Sequence, residues 1–434
     1  MFGLDTAVIS GAEQTIQRLW DLDVIEHGLT VSIALVGTVV GAMLGGIPTD
    51  RIGRKKTLFW IAVLFLVSAI GCALAIDWYS FLIFRFLGGL AVGCSSVTAP
   101  MYISELSPAS HRGRLVAMFQ FNVVLGILVA FVSNYLLQGI GDNAWRWMLG
   151  IIAFPAVVFL ALILFIPESP RWLIVKKSLY DEAKDILRRI NPATAESEFA
   201  SIQLSTRKNG SAPGSARLFS TRYALPVSLA VLFAAFNQVS GINAIIYYAP
   251  RIFEMTGLGT DSALLSTAGL GLINFVFTLL AMNFIDRYGR RTLMLIGSVG
   301  VIITLGLVAG AFYTQNFSNY LVPVCLFVYI AFFAFSQGAV IWVFISEIFP
   351  NEVRAKGQAL GSFTHWIMAA VIAFAFPWIT GWLGGGHTFM LFCMMMVLQL
   401  IFVLRLMPET KGKTLEQLQA ATLETGPRKV SIQK

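Results

Sequence analysis

The chain has 434 residues, 57% of them hydrophobic and 12% charged, with a mean hydropathy of +0.75. Soluble globular proteins carry about 25% charged residues, so this composition excludes that class. The net charge of +8 would suit a nucleic-acid binder, but the basic residues are confined to alternate loops between apolar stretches, which excludes that reading as well.

A membrane-spanning helix needs about 20 mostly apolar residues. In chain order, a short apolar stretch over 1–16 precedes eleven of full length, near 28–48, 58–76, 79–101, 114–138, 145–166, 223–250, 262–285, 292–314, 318–345, 357–381 and 386–407. The expected protein is an all-α integral membrane protein of two six-helix bundles, 1–167 and 223–407, joined by a polar loop over 168–222 and followed by a tail over 408–434. The first helix reads as truncated, since a full span would need roughly ten more apolar residues ahead of Phe2. Within the loop, Ala183, Ile186, Leu187 and Ile190 fall at helical spacing and predict an amphipathic helix. Residues 210–215 read as a flexible linker.

Basic residues crowd into Arg51 to Lys56, Arg112 to Arg114, Arg171 to Arg222, Arg287 to Arg291, Arg354 to Lys356 and the tail from Lys411. The opposite loops hold only Arg18, Arg146 and Arg251. Positive residues stay inside, which predicts a cytoplasmic central loop and C-terminus. The short loops favour a bacterial inner membrane. Cys72, Cys94, Cys325 and Cys393 all fall within predicted spans, with neither metal-ligand spacing nor a disulfide framework. No nucleophile–His–acid set, metal cluster or phosphate loop points to an enzyme, and no cofactor is expected.

The chain repeats itself. Asp50-Arg51-Ile52-Gly53-Arg54-Lys55 recurs as Asp286-Arg287-Tyr288-Gly289-Arg290-Arg291. Ser104-Glu105 followed by Arg112 recurs as Ser346-Glu347 followed by Arg354, and Pro167-Glu168 recurs as Pro408-Glu409. The three displacements are 236, 242 and 241 residues, so two copies of one unit make up the chain, as in many secondary transporters. Gly53 and Gly289 allow a tight turn, and Glu105 and Glu347 stand at helix ends ready to accept from the arginines. These groups, with Glu168, Arg171 and Glu409, either anchor helix ends or also form a breakable cytoplasmic latch between the halves.

The paired Asp-Arg-x-Gly-Arg loops, Pro100-Met101-Tyr102-Ile103-Ser104-Glu105, Pro167-Glu168-Ser169-Pro170-Arg171-Trp172-Leu173, Gln238-Val239-Ser240-Gly241-Ile242-Asn243-Ala244 and Pro408-Glu409-Thr410-Lys411-Gly412 together resemble the sugar porter family of the major facilitator superfamily. That resemblance runs from Phe2 to about Glu416. It implies a major-facilitator fold and transport of a monosaccharide (pentose, hexose or inositol) through the lipid bilayer by alternating access. An obligatory protein partner is not implied.

A neutral sugar needs amides that both donate and accept, with aromatic surfaces for its apolar face. Gln120, Asn237, Gln238, Asn243 and Asn274 supply such amides inside predicted spans, and Trp342 and Trp366 supply rings. The resemblance implies sugar contacts for Gln120, Gln238, Asn243 and Asn274, with Phe333, Trp342 and Trp366 around them. Each amide could instead make an interhelical hydrogen bond, and each ring could simply pack. Gln238 and Asn243 are five apart, about 140° around an ideal helix, unless Gly241 loosens the turn. Tyr247 and Tyr248 fit an extracellular gate or plain packing. The tenth span lacks the paired prolines of the animal glucose facilitators, so less reason to break is expected there. Where the family often has Asn or Gln before the tryptophan, this chain has His365.

Asp5 and Arg85 are ionisable groups inside apolar spans, which cost about 2.5–3.5 kcal/mol each at mid-bilayer unless paired or functional. Phe2-Gly3-Leu4-Asp5-Thr6-Ala7-Val8-Ile9-Ser10-Gly11 is similar to the first-span motif of proton-coupled sugar porters, which implies sugar:proton symport. The alternatives are an uncoupled facilitator, with Asp5 and Arg85 as a static tie, and a membrane sugar sensor.

Overall fold

The structure, a computed structural model, describes residues 1–107, 112–192, 194–209, 218–317, 321–350 and 353–411. The expected linker over 210–215, and the tail beyond Lys411, lie outside them. Every regular element among the described residues is helical, the form in which a lone segment satisfies its own backbone in lipid.

The helices are α1 (Phe2–Leu19), α2 (Val24–Leu44), α3 (Gly46–Ile52), α4 (Arg54–Leu74), α5 (Trp78–Leu106) and α6 (Arg112–Leu137). There follow α7 (Ala144–Gly150), α8 (Ala153–Phe165), α9 (Pro170–Trp172), α10 (Tyr180–Ile190) and α11 (Ala195–Asn209). The C-terminal half comprises α12 (Ala224–Val239), α13 (Ile242–Glu254), α14 (Thr260–Tyr288), α15 (Arg290–Thr314), α16 (Leu321–Phe333), α17 (Ala339–Glu347) and α18 (Arg354–Arg405). Among the described residues, ten helical runs are long and apolar enough to cross a membrane. One of them, Lys356–Arg405, has 50 residues. A straight helix of that length would reach about 75 Å, against a hydrocarbon core of about 30 Å. Gly384 breaks it at φ 77°, ψ 165°, between the two spans expected there. Helix α1 reaches Leu19 rather than stopping at 16.

Two compact units result. The first comprises Met1–Thr6, Ile33–Gly126 and Leu149–Ala216. Its α2 and α5 meet backbone to backbone: a Cβ on Gly89 would lie 1.9 Å from the Ala34 carbonyl oxygen, and one on Gly37 would lie 2.3 Å from that of Phe86. Gly41 and Gly93 continue the seam, at 2.3 Å from Leu90 O and 2.2 Å from Thr38 O. Small residues let membrane helices approach this closely, where dispersion rather than water drives packing. The same unit holds the loop helices. Ala183, Ile186 and Leu187 of the amphipathic α10 are buried against Trp172, Leu173, Ile174 and Phe199, and Ile190 packs on their edge. On the exposed side of these loop helices, Arg188, ahead of Lys184, holds the Glu196 carboxyl below its ordinary range.

The second unit comprises Ala7–Ser32, Ile127–Met148 and Arg217–Lys434. It therefore joins the whole C-terminal half to parts of α1, α2, α6 and α7. Asn134 of α6 donates to the Val8 carbonyl of α1 at 3.0 Å, and a Cβ on Gly28 of α2 would lie 2.4 Å from the Phe374 carbonyl of α18.

Candidate functional site

Within the second unit, the seventh span does not run through. Gly241 takes φ 85°, ψ 7° and caps α13 after α12 has ended. Only glycine holds that left-handed conformation cheaply, and a Cβ there would meet Phe392 at 2.5 Å. The break cancels the angular offset expected of Gln238 and Asn243. Asn243 Nδ2 donates to Gln238 Oε1 at 2.6 Å.

Gln238 is the centre of a buried polar shelf. Its Nε2 donates to Asn237 Oδ1 at 2.8 Å and lies 3.1 and 3.2 Å from the two ring nitrogens of His365. Asn237 Nδ2 in turn donates to the Gln337 carbonyl at 3.3 Å. Trp342 and Trp366 flank His365, with ring centroids 4.8 and 4.9 Å away. Phe333 is buried and stacks on Tyr329 at 6.2 Å, while the Tyr329 hydroxyl donates to the Ser240 carbonyl at 3.0 Å and braces the break. Asn274 is buried on α14. Gln120 is half-buried and belongs to the first unit. Tyr247 and Tyr248 are both buried. Tyr248 sits at a kink of α13 (φ −113°, ψ 17°) and donates to the Ala373 carbonyl at 3.0 Å.

The tenth span, given less reason to break by its missing prolines, still departs from a regular α-helix. A π-helical turn over Ala334–Gly338 separates α16 from α17. Such turns are a proline-free way to interrupt a helix and often mark functional positions. Here the turn buries Ser336 and Gln337 beside the shelf, with Ser336 Oγ donating to the Phe332 carbonyl at 2.6 Å. Gln337, Ser240 and Tyr329 were not singled out from sequence. Gln337 carries the same signal as Asn237, a lone amide in an apolar span.

In the first unit, Arg85 Nη1 of α5 lies 3.4 Å from Asp5 Oδ1 and donates to the Asp5 carbonyl at 3.3 Å. Both residues are 1% exposed. The pair is sparsely bonded: Asp5 Oδ2 and Arg85 Nε have no hydrogen-bond partner.

The repeated charged motifs build the same clamp twice. In the first unit Arg54 meets Glu105 in bidentate fashion, Nε to Oε2 at 2.9 Å and Nη2 to Oε1 at 3.0 Å, and also reaches Asp50 at 3.3 Å. Glu168 accepts the backbone N–H groups of Arg54 at 2.9 Å and Lys55 at 3.1 Å, and Ser169 Oγ donates to Glu105 at 2.5 Å. In the second unit Arg290 donates to Glu347 at 2.8 Å, Glu409 accepts from the backbone of Arg290 and Arg291 at 3.0 Å each, and Thr410 Oγ1 donates to Glu347 at 2.6 Å. Gly53 (φ 100°) and Gly289 (φ 89°) stand directly beneath the capping carboxylates. Glu168 and Glu409 thus sit on helix N-termini, where orphan N–H groups and the helix dipole favour an anion. The Arg–Glu pairs close within their own repeat. Arg51, Arg171 and Arg287 are exposed, and Arg354 Nε donates to the Phe349 carbonyl at 3.2 Å. The side chains of Arg112 and Asp286 lie outside the described residues.

Glu168→Ala should lower stability by about 0.5–2 kcal/mol, the usual range for a lost N-cap. The check is the thermal unfolding midpoint of the detergent-solubilised protein. An unchanged midpoint would mean that the carboxylate contributes nothing.

Among the described residues no group of three or more His, Cys, Asp or Glu could hold a metal ion. The profile of the family described as "Sugar (and other) transporter" matches residues 1–421. The chain belongs to the sugar transporter family. It is 37% identical to the arabinose-proton symporter of Bacillus subtilis, over 96% of this chain and 91% of that protein. It is 35% identical to the D-xylose-proton symporter of Escherichia coli, over 97% of this chain and 92% of that protein. The inward-open structure of the E. coli xylose transporter XylE superposes with a TM-score of 0.85 at 34% identity, covering 97% of this chain and 96% of that one. This sugar transporter therefore has the major-facilitator fold, is a multi-pass membrane protein and is not an enzyme.

Proposed function

We propose that this transporter carries a monosaccharide across a bacterial inner membrane together with a proton, by alternating access, with the basic loops, the 168–222 segment and the C-terminus in the cytoplasm. One juxtaposition of chemistries carries the reading. The chain holds a buried shelf of neutral amides suited to sugar hydroxyls, and separately a dry, under-bonded Asp5–Arg85 pair suited to a proton. Neutral amides are what an uncharged polyol needs, because a fixed charge at mid-membrane is costly and does nothing for it.

In this reading the sugar contacts are Gln120, Asn237, Gln238, Asn243 and Asn274, with Phe333, Trp342 and Trp366 giving apolar faces. His365 holds the Gln238 amide so that Asn243 Oδ1 and the second lone pair of Gln238 Oε1 remain for ligand. Tyr247 and Tyr248 close the outer side. Relatives that carry xylose and arabinose put pentoses first among the candidates, ahead of hexoses and inositol. The test is counterflow in proteoliposomes with labelled pentoses, hexoses and inositol. Exchange of at least one pentose is expected, and no exchange with any of the panel would remove the transport reading.

The clamps give each half rigid helix ends, and we take them as the parts that meet when the cytoplasmic side closes. Glu105→Gln should then shift the resting population towards the inward-open state. Labelling of single cysteines in the two vestibules reads this shift. Wild-type labelling on both sides would leave the clamps as anchors only.

A further inference from the structure

A second group of buried ionisable residues lies in the second unit, at the far end of α1 from Asp5. Glu13 of α1 is fully buried, and its Oε2 lies 2.5 Å from Nε2 of the equally buried His27 on α2. Its other oxygen, Oε1, lies 3.5 Å from Nε of Arg251 on α13, whose side chain is 29% exposed. Around this core, Arg251 Nη2 donates to Gln17, and Gln14 Nε2 donates to Glu254 Oε2 at 2.8 Å. The His27 ring also stands 5.8 Å from that of Tyr248. The groups facing Glu13 are therefore His27 from α2, and Arg251 and Tyr248 from α13, with Glu254 one step further out. From α18 the Phe374 carbonyl lies against Gly28, next to His27.

Two atoms in the core lack a hydrogen-bond partner, Glu13 Oε1 and His27 Nδ1. One protonation pattern is consistent with both. With His27 neutral and its proton on Nε2, that N–H donates to an ionised Glu13, and Nδ1 is a bare acceptor that no donor is left to serve. The ionised carboxylate then offers Oε1 to the Arg251 guanidinium, its opposite charge across the gap. A proton placed on Oε1 would set an O–H against a guanidinium N–H, two donors facing one another. It would also remove the charge that holds Arg251.

We infer that Glu13 is a proton-binding site separate from the Asp5–Arg85 pair, and that its protonation releases Arg251 and so frees the ends of α1 and α13 from each other. Glu13 and Asp5 are eight residues apart on one helix, about 12 Å along its axis, so one proton cannot serve both. The tie runs between the two sequence repeats, α1 and α2 on one side and α13 on the other. It lies on the side away from the basic loops. In the transport cycle, on which this inference rests, external protons would therefore open the outer side before sugar arrives, and the deprotonated carboxylate would hold it shut afterwards.

The test is hydrogen–deuterium exchange of the full-length protein without sugar and without a gradient, corrected for intrinsic exchange, between about pH 8 and about pH 5.5. Peptides covering 12–19 and Ile242–Glu254 should exchange at least about threefold faster at the acid end in wild type, as local opening becomes easier. In Glu13→Gln and in Arg251→Gln they should exchange fast at both ends, with a ratio near one, whereas Asp5→Asn should keep the wild-type ratio. If Glu13→Gln cannot be purified, Arg251→Gln decides alone. A wild-type ratio in either variant would overturn the inference, as would its loss in Asp5→Asn. Wild-type protein that shows the exchange response yet catalyses no sugar counterflow would instead sink the transport reading and leave the proton site standing.

Discussion

Asp5→Asn abolishes sugar accumulation driven by a pH gradient and leaves sugar counterflow running. The carboxylate and the Arg85 guanidinium are each 1% exposed, inside spans where such groups cost about 2.5–3.5 kcal/mol apiece unless paired. Their contact is nonetheless long and incomplete, 3.4 Å through one oxygen, with Oδ2 unbonded. A pair so loosely held can give up its ionic form to a proton, which ties proton occupancy to the balance between conformations. Asparagine removes the titration while keeping a side chain of the same size. It matters that the size is kept, because a Cβ on Gly88 would already stand 3.2 Å from Asp5 Oδ1. Sugar-induced alkalinisation outside intact cells should appear in wild type and vanish in the mutant. Wild-type cells that give no such signal would favour an uncoupled facilitator.

Gln238→Ala weakens sugar binding by more than about 1 kcal/mol, and the effect reaches beyond one lost hydrogen bond. Gln238 is joined to Asn237, Asn243 and His365 at once, so truncation leaves two buried polar partners and one half-buried one to find new ones. A network of this kind loses more than a pairwise count suggests. Asn274→Ala removes one amide that stands apart from that network and should cost about 1 kcal/mol as well, without disturbing the shelf. Calorimetric titration of the purified variants measures both. Unchanged affinity in the pair would displace the sugar site from this part of the molecule.

The helical, duplicated, membrane-spanning architecture was legible because hydrophobic length and charge spacing act locally, and both repeat. The clamps were legible as motifs. Glu168 and Glu409 are the exception, because nothing in the order Pro-Glu shows that the carboxylate will cap a helix that begins 114 residues earlier in one case. The breaks were legible only where glycine marked them: Gly241 was a candidate pivot, whereas the π-turn at Ala334–Gly338 has no sequence sign of its own. Glu13, His27 and Arg251 were invisible as a group. Each reads alone as a residue near the end of an apolar span, and only the folded chain brings three helices to one carboxylate.

The glycine seam between α2 and α5 has a consequence for how tolerance to mutation is distributed. Four positions, Gly37, Gly41, Gly89 and Gly93, have backbone oxygens within 2.3 Å of where a methyl group would sit, and none of those oxygens can rotate away as a side chain could. A saturation library scored for membrane abundance should therefore show a straight stripe of intolerance along these two helices, as deep for alanine as for leucine. That stripe would remain whichever sugar was supplied, and a screen based on growth alone would mistake it for a transport pathway.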